Sequence, residues 1–372
     1  MDRKFFPEVP NNFGFGCMRL PMNGEEVDTE QFSKMIEMFF DAGLTYFDTA
    51  HGYIQGKSET AIRECLTSKY PRSKYTLTNK LTGTYFESQD DIIPLFYSQL
   101  EACGVDYFDF YLMHSQNAVV YEKFQRCNAY QTAYSLKEKG KIRHFGISFH
   151  DSAEVLDRIL SEHPEIEVVQ LQFNYLDYDD PGVQSRACYD VCIKHGKPVI
   201  VMEPVKGGHL VDLPKKAQEV FDELHGGSNA SYAIRFAASF ENVAMVLSGM
   251  SSIEQMRDNL SYMKDFSPLS EAEFEAIDRV KAAFREENLI QCTECRYCVD
   301  GCPMHILIPN LFSCMNTRTR YGGSAYYYNH VHTVNHGKAS DCIKCGKCEA
   351  VCPQHLPIRA LLEDVAKSFE SE

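Results

Sequence analysis

From residue 45 onward, short runs of β-branched and aromatic residues alternate with longer stretches whose apolar positions recur every three to four residues. TYFDTA (45–50), KYTLTNK (74–80), YFDFYLMH (107–114), RHFGISF (143–149), EVVQLQFN (167–174), KPVIVMEP (197–204) and NVAMVLSG (242–249) read as seven strands, and FGFGCMRL (13–20) supplies an eighth. Segments 29–42, 121–139, 151–162 and 183–195 carry the helical period between them. Strands alternating with helices imply βα units and a parallel sheet. Eight such units predict an α/β fold, the (β/α)8 TIM barrel.

After Tyr262 the pattern changes to DFSPLSEAEFEAIDRVKAAFREEN, in which Ser270 followed by Glu273 resembles a capping box opening a charged helix. The expected organisation is a barrel over 1–268, a helical linker over 269–289 and a second domain over 290–372. Charge supports the division. The last part holds 8 basic and 8 acidic residues, leaving 29 against 44 from chain totals of 37 and 52 for residues 1–289.

A net charge of −15 disfavours a nucleic-acid partner, because phosphate backbones are held mainly by Lys and Arg. No run approaches 18 apolar residues, so no membrane span is expected. Fifteen cysteines without an N-terminal apolar leader predict reduced or metal-bound thiols and a cytoplasmic protein rather than a secreted disulfide scaffold.

In a TIM barrel, catalytic side chains sit at the C-terminal ends of the strands and just beyond. Asp48 closes TYFD, Tyr53 follows in AHGY, Lys80 ends YTLTNK and His114 ends YFDFYLMH. Singly, these read as a turn former, a rim aromatic, a solvated lysine and a core histidine. Together, on three adjacent strand ends, they form a consistent chemical set. A tyrosine with a pKa of about 10 is a poor proton donor near neutrality unless a cation stabilises its phenolate. Lys80 supplies that charge, Asp48 holds the ammonium, and His114 donates a hydrogen bond to a carbonyl oxygen as charge develops there.

With FDTAHGY, TNK, DFYLMH, GIS and VVQLQFNYL in order, residues 10–265 resemble the aldo-keto reductase family. The resemblance implies NAD(P)H-dependent reduction of an aldehyde or ketone, or the reverse oxidation of an alcohol, with Tyr53 as general acid/base and Asp48, Lys80 and His114 completing the tetrad. It also carries cofactor contacts onto Met18 and Arg19, onto Ser148 and Gln170 at the nicotinamide carboxamide, and onto Met202, where many members stack a tyrosine on the ring. SGMSSIEQMRDN (248–259) resembles the adenosine-phosphate segment, with Asn259 at the adenine. Gly249 and Gln255 stand where members preferring NADP often have Lys and Arg, so Lys206 and Arg257 become the compensating cations and NADP and NAD both remain open.

The tail carries the most specific signal. Cys292, Cys295, Cys298 and Cys302-Pro303 recur as Cys342, Cys345, Cys348 and Cys352-Pro353, each a C-x2-C-x2-C-x3-C-P run. This is the bacterial ferredoxin pattern for two [4Fe-4S] clusters, in which the fourth cysteine ligates the other cluster. One cage is therefore expected from Cys292, Cys295, Cys298 and Cys352, the other from Cys342, Cys345, Cys348 and Cys302. Zinc sites use paired C-x2-C ligands and fit two such runs badly. The 39 residues between the runs include the helix-compatible IPNLFSCMNTRTR, and the segment resembles a small, mainly helical ferredoxin-like domain.

The expected protein is thus an oxidoreductase with a small-molecule carbonyl or alcohol substrate, two clusters transferring electrons, and a ferredoxin or flavoprotein as electron partner. The alternative is a redox-sensing or electron-transfer protein whose barrel binds nicotinamide without turnover.

Overall fold

A computed structural model describes residues 5–224, 226–287 and 289–370. Ten strands occur among them: β1 (Phe13–Gly16), a hairpin of β2 (Met22–Asn23) and β3 (Glu26–Val27), then β4 (Tyr46–Asp48), β5 (Thr76–Leu81), β6 (Phe108–Gln116), β7 (Ile142–Phe149), β8 (Val168–Gln172), β9 (Val199–Met202) and β10 (Val243–Ser248). All but the hairpin close into one parallel barrel in the order β1-β10-β9-β8-β7-β6-β5-β4. The eight expected strands and the TIM barrel are therefore present.

These strands are buried almost residue by residue, as a parallel sheet covered on both faces requires. Polar members find partners inside: Thr78 donates to Tyr46 Oη at 2.6 Å, and Asn79 Nδ2 donates to Glu59 Oε1 at 2.7 Å. Phe6, Tyr46, Phe110, Leu112, Val168, Ile200, Met245 and Leu247 pack as one apolar cluster. Gly146 is required on β7, since a Cβ there would lie 2.5 Å from the carbonyl oxygen of Val168.

The outer helices follow the apolar period. Helix Thr29–Asp41 buries Phe32, Met35, Ile36 and Phe39, and Asp28 caps its start by accepting from the Gln31 amide at 2.9 Å. One expectation needs correction: 121–139 is two helices, Ala118–Arg126 and Ala129–Glu138. The apolar period runs through the break, but Asn128 adopts a left-handed conformation with φ of 52°, which asparagine tolerates better than most side chains.

The chain divides into two compact units, one of residues through Pro204 with Ala230–Glu271, the other of Val205–Asn229 with Ala272 onward. In the second, helix Glu271–Glu286 buries Ala276, Ile277, Val280 and Phe284. The cysteine runs repeat at an offset of 50 residues: short helices Tyr297–Asp300 and Lys347–Ala350 are followed by longer ones, Ile308–Tyr321 and Ile358–Phe369. Leu311, Phe312, Leu362, Val365 and Tyr328 form their shared core, with Tyr328 stacked on Phe369 at 4.6 Å. Segment 205–229 joins this unit through ion pairs of Lys216 with Glu286, Arg279 with Glu223, and Arg320 with Asp212.

Candidate active site and metal centre

At the C-terminal ends of β4, β5 and β6, three of the four expected residues meet directly. Lys80 Nζ, wholly buried, donates to Asp48 Oδ1 at 2.6 Å, to the carbonyl oxygen of Thr49 at 2.8 Å and to Tyr53 Oη at 3.2 Å. Register places Asp48 beside Thr78, two residues before Lys80 on β5, and Lys80 beside Leu112, two residues before His114 on β6. Gln170 Nε2 donates to the other Asp48 oxygen at 3.2 Å. Burial raises Asp48 and lowers Lys80 from their usual pKa values, and the close contact between them opposes both shifts.

Burial of the Tyr53 hydroxyl, followed by the charges of Asp48 and Glu203, pushes its phenol well above the usual value. Tyr53 is therefore protonated throughout the neutral range, and the shift runs opposite to the lowering expected from Lys80 because burial and the neighbouring carboxylates dominate. The His114 ring lies 5.9 Å from the Tyr53 ring, centroid to centroid, and its Nδ1 is 2.7 Å from Thr82 Oγ1. Burial, with Lys80 and His150 nearby, holds His114 well below its usual pKa and thus neutral. A Thr82 hydroxyl donating to Nδ1 leaves the ring proton on Nε2. Thr82 escaped notice in the sequence, where it is one residue among several in a loop. Beside Tyr53, His51 Nδ1 is 2.8 Å from Glu59 Oε2, and this bond, with the Glu59 charge, raises the His51 pKa.

Of the expected cofactor residues, Ser148 and Gln170 are register partners on β7 and β8, and both are buried. Ser148 Oγ accepts from the Ser115 amide at 2.8 Å. This pair, one hydroxyl and one carboxamide side by side, has the donor and acceptor chemistry that a nicotinamide carboxamide needs. Met202 ends β9, with Gln172 as its partner on β8. Arg19 meets the β10 end: its carbonyl accepts from Ser251 Oγ at 2.8 Å, and a Cβ on Gly249 would sit 3.4 Å from Arg19 Cβ. Met18, the residue before it, is half-buried. Gln255 Oε1 accepts from the Ser251 amide at 2.7 Å, and Asn259 Oδ1 accepts from Ser248 Oγ at 2.7 Å. Lys206 belongs to the other unit, where it is buried and donates to Gln354 Oε1 at 2.7 Å.

In the second unit the eight tail cysteines line two separate cavities. Cys292, Cys295, Cys298 and Cys352 surround one, and Cys302, Cys342, Cys345 and Cys348 the other. Each cavity thus draws three thiols from one run and the fourth from the other, the grouping expected for a pair of cubic clusters. Among the described residues no three His, Cys, Asp or Glu side chains converge on a point suited to one metal ion. Thiols that ring a cavity fit a multi-iron cluster better than a tetrahedral zinc.

The backbone supports the same fit. Glu294 and Arg296 in the first run, and Lys344 and Gly346 in the second, have positive φ, between 54° and 76°. Such turns aim successive N–H groups into a concavity, the anion-binding arrangement of many Fe–S sites. His330 and His332 pack against the Tyr326 and Tyr327 rings.

A closed parallel barrel with buried polar groups at its C-terminal strand ends, joined to a module of two four-cysteine cavities, defines a TIM-barrel protein with an iron–sulfur type tail. Residues 12–282 match the model of the aldo/keto reductase family, and the chain belongs to that family; residues 291–357 match the 4Fe-4S dicluster domain. It is an oxidoreductase of aldo-keto reductase type.

Relatives include aldo-keto reductases of Mycolicibacterium smegmatis, 24% identical over 64% of this chain and 82% of the relative, and of Mycolicibacterium vanbaalenii, 28% identical over 64% and 79%. The NADH-specific methylglyoxal reductase of Escherichia coli is 24% identical over 51% of this chain and 59% of that protein. A Klebsiella pneumoniae aldo-keto reductase solved in complex with NADPH shares the fold, with a TM-score of 0.60 and 19% identity over 73% of this chain and 91% of the other. Among the described residues no helix is long and apolar enough to cross a membrane.

Proposed function

We propose that this protein reduces an aldehyde or ketone with NADH or NADPH, or runs the reverse oxidation, in the cytoplasm, and that it exchanges electrons with a ferredoxin or flavoprotein through two [4Fe-4S] clusters. The observation that carries the first part is the line Asp48–Lys80–Tyr53, with contacts of 2.6 and 3.2 Å, beside a neutral His114. When bound, the reduced nicotinamide supplies a hydride to the carbonyl carbon.

The chain's own residues do the rest. Tyr53 gives its proton to the carbonyl oxygen, so that hydride and proton together convert C=O to CH–OH. Lys80 stabilises the phenolate left behind. Asp48, held on its second oxygen by Gln170, keeps the ammonium in place. His114 donates from Nε2 to the same carbonyl oxygen, a contact that strengthens as negative charge builds there. Ser148 and Gln170 bind the nicotinamide carboxamide. Met202 packs against its ring, a thioether–aromatic contact.

Met18, Arg19, Gly249, Gln255 and Asn259 form the nucleotide end. Cys292, Cys295, Cys298 and Cys352 hold one cluster, and Cys302, Cys342, Cys345 and Cys348 the other. When bound, each cluster carries one electron at a time.

The test is anaerobic oxidation of NADH and NADPH against a panel of aldehydes and ketones. Turnover supports the reductase. Tight cofactor binding with no turnover on any carbonyl supports a redox sensor instead.

A further inference from the structure

The two cysteine runs are alike in backbone and differ at several positions that face their cavities, one of them two residues beyond the last cysteine. After the Cys-Pro pair, the run ending at Cys352 has Gln354 and the run ending at Cys302 has Met304. Gln354 lines the cavity of Cys292, Cys295, Cys298 and Cys352, while Met304 lines the other. Gln354 is only 8% exposed, and its Nε2 is buried without a hydrogen-bond partner. A buried amide N–H left unmade costs about 1–3 kcal/mol, so a native chain rarely keeps one that no bound group satisfies.

The orientation of that amide is not arbitrary. Lys206 Nζ donates to Oε1 at 2.7 Å, and an ammonium only donates, so the oxygen faces Lys206 and the NH2 faces away from it. Lys206 is itself held in place. It opens a left-handed stretch with φ of 48°, 64° and 103° at Lys206, Gly207 and Gly208. A Cβ on Gly207 would lie 2.5 Å from the Thr293 carbonyl oxygen, between two ligands of the same cavity. His209 Nε2 then donates to the Cys292 carbonyl at 2.7 Å. The VKGGH segment is built against this run.

We propose that Gln354, its amide oriented by Lys206, donates an N–H···S hydrogen bond to the cluster held by Cys292, Cys295, Cys298 and Cys352, and that this bond raises that cluster's reduction potential relative to what the cage alone would give. The inference rests on the reading that the eight cysteines hold two clusters. Reduction adds one electron to an anionic cluster, and a donor aimed at its sulfur stabilises the more negative form more strongly. Met304 offers the second cluster no such donor. Gln354 and Lys206 are positioning and tuning residues, not ligands.

The experiment is an anaerobic potentiometric titration of the reconstituted full chain with a low-potential chemical reductant, followed by electron paramagnetic resonance. Gln354→Met, which installs the residue of the other run at nearly constant volume, is expected to lower the reduced-to-oxidised ratio of one cluster about tenfold at fixed potential. For a one-electron couple this is about 59 mV. The other cluster keeps its midpoint. Lys206→Met moves the same midpoint in the same direction, and Met304→Gln raises that of the other cluster. In the unsubstituted chain, an exchangeable proton coupled to one reduced cluster disappears in heavy water.

With iron and acid-labile sulfide intact, midpoints that stay fixed in Gln354→Met, or that shift equally, overturn the inference alone. If Gln354→Met assembles no cluster, the Met304→Gln shift and the exchangeable proton decide. A reconstituted chain that binds no iron overturns the cluster reading and this inference with it.

Discussion

Lys80 places its ammonium 2.6 Å from Asp48 Oδ1 with both side chains buried, one from β5 and the other from β4. Such a pair contributes little net stability as a unit, but removing one member strands a charge. Lys80→Met is therefore expected to destabilise the barrel by about 3–5 kcal/mol. Adding Asp48→Asn to the same chain recovers part of that loss, because no carboxylate is then left uncompensated. Denaturant midpoints of the single and double variants check the coupling; strictly additive losses would contradict it.

The His51–Glu59 pair yields a pH dependence with a definite sign. Its hydrogen bond to Glu59 raises the His51 pKa in the folded protein above its ordinary value of about 6.5. Stability from the protonated ring is therefore complete below about pH 6.5 and is lost as pH rises through the raised value. Glu59→Gln should bring the His51 titration, followed by NMR, down and flatten this part of the stability profile. An unchanged titration would show that another group holds the proton. His114, kept neutral by burial, should add no ionisation near neutrality.

Crossed ligation makes a prediction that sequence neighbours alone would not. Cys302 stands in the first run but lines the cavity of Cys342, Cys345 and Cys348. Cys302→Ala should therefore perturb the same cluster signal as Cys345→Ala, and Cys352→Ala the same signal as Cys295→Ala. Spectra grouped by run instead would refute the crossed cages.

Cofactor preference follows from Gly249 and Gln255. Neither is a cation, and Gln255 is tied to the Ser251 amide. Dissociation constants for NADPH and NADH should differ by no more than about tenfold, or about 1.4 kcal/mol. A preference for NADPH of about a thousandfold would require a cation such as Arg257 to select the phosphate.

The barrel was legible in the sequence because its strands are buried runs of consistent composition, and because Asp48, Lys80 and His114 each lie at or within two residues of the end of one of them. The two four-cysteine cavities were legible because one cysteine spacing is repeated after 50 residues. Other features left weaker traces. The break at Asn128 interrupts no apolar period, and only its left-handed backbone ends the helix. Val205–Asn229 follows β9 directly in sequence, yet its ion pairs and packing place it in the unit of the tail. Lys206 looked like a phosphate ligand by position along the chain, and its contact with Gln354, 148 residues away, has no local signature. Gln354 and Met304 hold the same place in two runs that share their cysteines and prolines but few other residues, and the meaning of that difference depends on burial.

Tyr53 is where the account is most exposed to test. Single-turnover oxidation of NADH and NADPH, measured anaerobically with the carbonyl panel, should show reduction by the unsubstituted chain. Tyr53→Phe should lose about 10²–10⁴ of that rate, the usual contribution of a positioned proton donor, while iron and sulfide content stay constant. Equal rates in the two proteins, or no reduction of any carbonyl by a chain that binds nicotinamide tightly, would contradict the reductase.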